Sequence, residues 1–162
     1  MVILCLLCAA CIGLTIRFSA KRSSSDDFHG ETGSLEDGRM ISKGDSVTVS
    51  VYASEMDSVY GYQFYVYYDT EILEYQNRLY SEIDDIPTIF ATNKDQCLLV
   101  GATMTGKASG FNGRDVFVCR IEFVALEDTD LEQIMLSRVN IVTEDMQYLE
   151  NIDGWTVSVT VP

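Results

Sequence analysis

Histidine, proline and basic residues are scarce in this chain of 162 residues, and the shortages argue against whole classes of function. A single histidine, His29, argues against a Ser-His-Asp hydrolase and against a His-rich metal site. Lysine and arginine number 11 against 25 aspartates and glutamates, which gives a formal charge of −14. A surface this acidic repels phosphate backbones, so nucleic-acid binding is disfavoured. The composition therefore favours a non-catalytic module.

Recognisable catalytic motifs are also missing from the sequence. It contains no Gly-rich phosphate loop, no zinc-ligand spacing and no nucleophile elbow. Neighbouring carboxylates such as Asp69 and Glu71, or those of residues 82–85, resemble the acid pair of a glycosidase. Any strongly acidic surface supplies such pairs, so we interpret them as solvated loop residues.

One acidic stretch has the spacing with which a calcium loop begins. Asp128, Asp130 and Glu132 alternate along the chain. An EF-hand requires glycine at the sixth position and glutamate at the twelfth, where this sequence has Gln133 and Val139. The stretch is therefore not an EF-hand, and a looser calcium site stays open at this stage.

The N-terminal residues carry a leader pattern. Residues 2–16 are apolar and uncharged, a length that suits a signal peptide better than a membrane span of about 20 residues. The bases that follow at residues 17–22 favour a retained anchor, and Cys11 allows lipidation as a third fate. We predict a signal peptide or anchor over residues 1–20, a flexible polar linker over 21–38 and one domain over 39–162, secreted or displayed at the cell surface.

The domain itself has the two-residue periodicity of β-strands. Turn residues (Gly, Asn and Asp) separate segments in which apolar residues recur at every second position. This pattern predicts an all-β, antiparallel sandwich. The predicted strands cover residues 46–53, 59–68, 97–104, 116–126, 134–142 and 155–161.

Two cysteines, Cys97 and Cys119, lie in the predicted domain. Strand phase places Cys97 outward and Cys119 inward. Val118 and Arg120, the neighbours of Cys119 in the chain, are predicted to point outward. Side chains on opposite faces do not meet the geometry of a disulfide, so we predict two free thiols.

Tyrosines are concentrated in a single strand. Within residues 59–68, Tyr60, Tyr62 and Tyr68 share the apolar phase and are predicted core residues whose hydroxyls need partners. Tyr65 and Tyr67 have the opposite phase. Exposed paired aromatics are typical of contact surfaces, so this side of the strand is a candidate binding face.

The segment from 61 to 75, with its phased strand ending in Tyr68-Asp69, a short turn and a hydrophobic pair before Glu74, resembles the signature of cohesin domains. Segments 43–49, 97–106, 113–123 and 153–157 are similar to further strands of that family, in the same order. Thr70 replaces the family's proline, and residues 76–96 align poorly. The similarity covers about residues 40–162.

This resemblance implies a jelly-roll sandwich of about nine strands that binds a dockerin domain and is not an enzyme. It implies no cofactor for this chain, with calcium expected on the dockerin. The family's docking face would come from strands at 59–68, 97–106 and 116–124. The contact residues implied by position are Gly61, Gln63, Tyr65, Leu99, Gly101, Thr103 and Gly106, and Tyr67, Thr92 and Arg120 would share that face by phase.

Two other functions remain open from the sequence. A carbohydrate-binding module of similar fold would use Tyr65, Tyr67 and Trp155 as a platform for stacking on sugars, although the phase of Trp155 favours the core. A structural surface domain would have no dedicated ligand.

Overall fold

The protein, as seen in a computed structural model, is described at residues 40–84, 86, 88–130 and 134–162, and by its backbone alone at 30–33. Within these ranges no helix is long and apolar enough to cross a membrane. The predicted leader and the rest of the predicted linker lie outside them. The described strands are β1 (Gly30–Gly33), β2 (Ser46–Tyr67), β3 (Leu73–Ser81), β4 (Thr88–Lys94), β5 (Cys97–Thr103), β6 (Phe111–Ala125), β7 (Ile134–Thr143), β8 (Tyr148–Leu149) and β9 (Trp155–Thr160).

The strands form two layers that share the long strand β2. In the first layer, the N-terminal half of β2 lies between β6 and β9, and β3 pairs with the other edge of β6. In the second layer, the C-terminal half of β2 lies between β5 and β7. Beyond these, β4 pairs with β5, while β1 and β8 pair with the far edge of β7. All the pairings are antiparallel, as predicted.

Aromatic side chains connect the two layers through one core. Trp155 of the first layer is 2% exposed, and its ring centroid lies 5.4 Å from that of Tyr62 and 5.8 Å from that of Phe64 in the second layer. Near the C-terminal end of β2, Tyr68 meets Phe123 of β6 edge-on at 4.8 Å. The two sheets therefore pack face to face, which confirms the predicted β-sandwich.

The first strand corrects the predicted linker. Gly30–Gly33 lie inside the segment predicted as a flexible tether, but they pair with Ile134–Ser137 of β7. The polar sequence Gly-Glu-Thr-Gly gives no periodic signal because an edge strand needs only one partner and no buried face. The sheet edge offered by β7 therefore decides the conformation here, rather than the local sequence.

Cys97 and Cys119, the two cysteines of the described part of the chain, are free and buried. Cys119 is fully enclosed, and burial, followed by the nearby charge of Glu82, raises the pKa of its thiol. The outward placement of Val118 is wrong, since its side chain is 0% exposed. The register of β2 with β6 shifts between Val51 and Tyr52, so β6 has one extra residue at Val118 and Cys119. This β-bulge changes the inward and outward alternation of side chains along β6.

The hydroxyls of the three inward tyrosines differ in their hydrogen bonding. Tyr60 donates to the carbonyl oxygen of Gly106 at 2.8 Å, and Tyr68 donates to Asn93 Oδ1 at 2.8 Å. The hydroxyl of Tyr62 is buried and has no hydrogen-bond partner. Burial, with a smaller contribution from Cys119, raises the pKa of Tyr62 well above its ordinary value.

Tyr62→Phe is expected to raise the free energy of unfolding by about 1 kcal/mol at pH 7, because it removes an unsatisfied buried hydroxyl. Above pH ~10 a tyrosine ionises in the unfolded chain while folded Tyr62 stays protonated, so this residue costs about 1.4 kcal/mol of stability per pH unit there. The advantage of the variant should therefore be constant below pH ~10 and grow above it. Urea unfolding of both proteins between pH 7 and 11 measures this.

Tyr68→Phe is the matched control, because it removes a hydroxyl that does have a partner. It should lose about 1 kcal/mol at pH 7. Equal losses in the two variants would contradict the assignment of Tyr62 as unsatisfied.

Candidate functional site

Strand register places a set of cross-strand rows on the outer face of the second layer, the side turned away from the core. Directly opposed residues of antiparallel strands point to the same side of the sheet. Each row has one residue from each of β4, β5, β2 and β7. The rows are Thr88–Thr103–Gly61–Val142, Phe90–Gly101–Gln63–Asn140, Thr92–Leu99–Tyr65–Ser137 and Lys94–Cys97–Tyr67–Met135.

Most of the candidate contact residues lie together on these rows. The eight that do so are Gly61, Gln63, Tyr65, Tyr67, Thr92, Leu99, Gly101 and Thr103. Gly106 lies in the turn after β5, where its φ of +71° suits glycine and its carbonyl accepts the hydroxyl of Tyr60. Gly106 therefore lies at the end of the face and belongs to none of the four rows.

The placement of Arg120 on this face is wrong. Arg120 lies on β6 in the first layer, opposite Ser50 and Tyr80. Its guanidinium carbon is 4.9 Å from the centroid of the Tyr80 ring, and it pairs with Glu82 at 3.5 Å. Strand phase indicates which side of a strand a residue occupies but not which sheet the strand joins, and the segment at 116–124 joins the other sheet.

The centre of the outer face is an aromatic pair. The rings of Tyr65 and Tyr67 stack at 6.2 Å between centroids and 28° between planes, and both side chains are half-buried. Leu99, directly opposite Tyr65, is also half-buried. A cluster of this kind can bury apolar area against a partner with little loss of side-chain entropy.

Phe90 is a residue of this face that the sequence did not reveal. Its side chain is 50% exposed and lies directly over Gly101 in the neighbouring strand. A Cβ added to Gly101 would come within 2.5 Å of the ring atom Cζ of Phe90. Glycine at 101 therefore leaves the space that the tip of the Phe90 ring occupies, so a side chain at 101 would displace the ring.

Arg138 is a second such residue. The register of β7 against β2 shifts between Gln63 and Tyr65, so Arg138 is an extra residue in a β-bulge, with a φ of +52°. The bulge brings its guanidinium carbon to 6.0 Å from the centroid of the Tyr65 ring. A bulge re-aims side chains in a way that regular alternation cannot predict, which is why the sequence pattern missed this cation.

The family model for the cohesin domain matches residues 37–155. The chain belongs to the cohesin family. Its structure is similar to that of the sixth cohesin of scaffoldin B from Acetivibrio cellulolyticus, solved in complex with a mutant Cel5 dockerin, with a TM-score of 0.56 and 16% sequence identity over 81% of this chain and 96% of that one. No curated protein matches the sequence.

A calcium site in this cohesin domain finds no support among the described residues. They contain no group of three or more acidic, histidine or cysteine side chains that could hold a metal ion. Asp128 Oδ1 accepts the backbone N–H of Lys43 at 2.8 Å, which gives it a structural role. Glu132 and Gln133 lie outside the described ranges.

The carboxylate pairs of the cohesin domain also have local roles. Asp69 Oδ1 accepts the backbone N–H of Glu71 at 2.8 Å in the turn after β2, and Glu82 pairs with Arg120. Asp85 lies outside the described residues.

Five further acids line a crevice of about 980 Å³ near the turn after β7, with Ile141, Leu149 and Ile152 among its apolar lining.

Proposed function

We propose that this cohesin domain is a non-catalytic module that docks a dockerin domain through the outer face of its second layer. The observation that carries the proposal is the uncharged row that contains Tyr65 and Leu99, with Tyr67 stacked beside it, in a chain of charge −14 that belongs to the cohesin family. Interface cores are depleted in charged residues and enriched in tyrosine. Docking would attach carbohydrate-active enzymes to an extracellular, cellulosome-type assembly.

The proposal assigns contact roles to Gly61, Gln63, Tyr65, Tyr67, Thr92, Leu99, Gly101 and Thr103, with Gly106 at the edge, and adds Phe90 and Arg138. Calcium would be held by the dockerin. The protein itself would be secreted or displayed at the cell surface through the segment 1–20.

The alternative of a carbohydrate-binding module loses one of its three aromatic residues. Trp155 is 2% exposed and packs between the layers, so it cannot stack on a sugar ring. On the first layer, the exposed ring of Tyr80 has Arg120 over one face, and Tyr52 stacks on Phe117 at 4.9 Å. Each of these two rings therefore has a neighbour of the same chain against it.

The test is a calorimetric titration of residues 21–162, which contain every described strand, against a panel of dockerins in calcium and in EDTA. We expect tight binding of at least one dockerin that is lost in EDTA, and no retention on insoluble polysaccharides. Retention on a polysaccharide together with silence across the panel would replace this proposal with the carbohydrate-binding function.

A further inference from the structure

The outer face of the second layer carries no carboxylate on its rows, although the chain has 25 acids. Among the side chains that the structure describes, the charged ones of this face are Lys94, at the end of the row that contains Tyr67, and Arg138, at the bulge over Tyr65. The nearest acid along β4 is Asp95, in the turn that follows Lys94. Locally, this face is therefore neutral to positive within a strongly negative protein.

Arg138 differs from the other arginines whose side chains are described. Arg78 pairs with Glu122 at 3.1 Å, Arg114 with Glu55 at 3.4 Å and Arg120 with Glu82 at 3.5 Å. All three of these pairs involve β6 of the first layer. Among the ion pairs of the described residues none includes Arg138, which is exposed and has its guanidinium carbon over the Tyr65 ring at 6.0 Å from the centroid.

The thiol of Cys97 lies near both cations of the face. Cys97 lies in a row with Lys94 and Tyr67. Burial raises its pKa, Lys94 and Arg138 oppose that rise, and Asp95 adds to it. Both cations are therefore within electrostatic reach of the same point beside the tyrosine pair.

We infer that the docking partner presents a carboxylate to this face and that Arg138 receives it. The inference rests on the proposed function. It predicts that the partner's contact surface carries a negatively charged aspartate or glutamate beside apolar side chains. A guanidinium that enters no ion pair within its own chain keeps its N–H donors available, and their planar arrangement suits a two-point contact with a carboxylate. The surrounding tyrosines and Leu99 would exclude water from the pair and strengthen it.

Salt dependence alone cannot test this inference, because the whole chain repels an acidic partner while the face attracts it, and salt screens both effects. A charge-exchange experiment separates them. A dockerin that binds residues 21–162 is titrated against Arg138→Glu, and then each carboxylate on the dockerin's contact surface is changed in turn to lysine.

Arg138→Glu is expected to weaken binding about tenfold, and one lysine-bearing dockerin should recover most of that loss with the variant while binding the natural chain less well. Arg114→Glu is the matched control, since Arg114 is an exposed arginine of the first layer. It changes the net charge equally and should leave the affinity within about twofold. Lys94→Glu provides a second variant of the face if Arg138→Glu does not fold.

The outcomes separate the two proposals. Silence of every dockerin toward the natural chain would overturn the proposed function, and this inference with it. Binding that weakens equally for Arg138→Glu and Arg114→Glu, or that no lysine-bearing dockerin restores, would overturn the inference and leave the docking function standing.

Discussion

Tyr65→Ala is expected to weaken dockerin binding by about 2 kcal/mol, which is roughly a 30-fold rise in Kd. Tyr65 lies between Leu99 and Ser137 in its row, stacks on Tyr67 and has the guanidinium of Arg138 over its ring. Removing the ring therefore removes the apolar contact at the centre of the face and also frees Arg138. Calorimetric titration of the variant against a dockerin that binds the natural chain measures the effect.

Tyr52→Ala is the matched control for this substitution. Tyr52 is a tyrosine of the same strand, β2, with 38% of its surface exposed, but it lies in the first layer and stacks on Phe117. Its loss should leave Kd within about twofold, because surface changes outside an interface rarely affect affinity. If both variants bind as the natural chain does and remain folded, the contact surface is not the outer face of the second layer.

Phe64→Ala is expected to lower the free energy of unfolding by about 3–5 kcal/mol, the largest effect on stability predicted here. Phe64 is 0% exposed, and its ring lies 6.0 Å from Tyr62 and 5.8 Å from Trp155 between centroids. Its removal leaves a cavity at the point where the two layers meet. A loss of this size approaches the whole stability of a small domain.

Urea unfolding followed by tryptophan fluorescence is a direct measurement, because Trp155 is the chain's one tryptophan and contacts the substituted position. Tyr65→Ala is the control on the same strand. Its half-buried ring faces outward, so its cost to stability should be less than half as large. Equal midpoints for Phe64→Ala and the natural chain would mean that the layers do not pack through this ring.

The central strands could be predicted from the sequence because each has a buried face. Val47, Val49 and Val51 alternate with polar residues in the first half of β2, and the structure buries all three completely. The strands β3 and β4 could not be predicted in this way. Each lies at a sheet edge with at most one buried side chain, and in β3 a register shift between Tyr75 and Arg78 interrupts the alternation as well.

The same physical causes decide which site residues the sequence revealed. Tyr65 and Gln63 follow regular alternation in a central strand and lie on the face where the pattern places them. Phe90 belongs to the unpredicted edge strand, and Arg138 lies on a bulge at a positive φ. Arg120 shows a third limit, because strand pairing between distant segments leaves no trace in local periodicity.

The long strand β2 also constrains the order in which the chain can fold. Its residue Ala53 pairs with Trp155, so one edge of its first half stays open until the chain has been made as far as β9. The second half of β2 pairs with β5 and β7, which also come later in the chain. Pairings so distant in sequence are slow to form, typically on a scale of roughly milliseconds to seconds for all-β domains. A chain that stops short of β9 would expose an unpaired hydrophobic strand edge able to capture another copy, so complete folding of this domain requires β9.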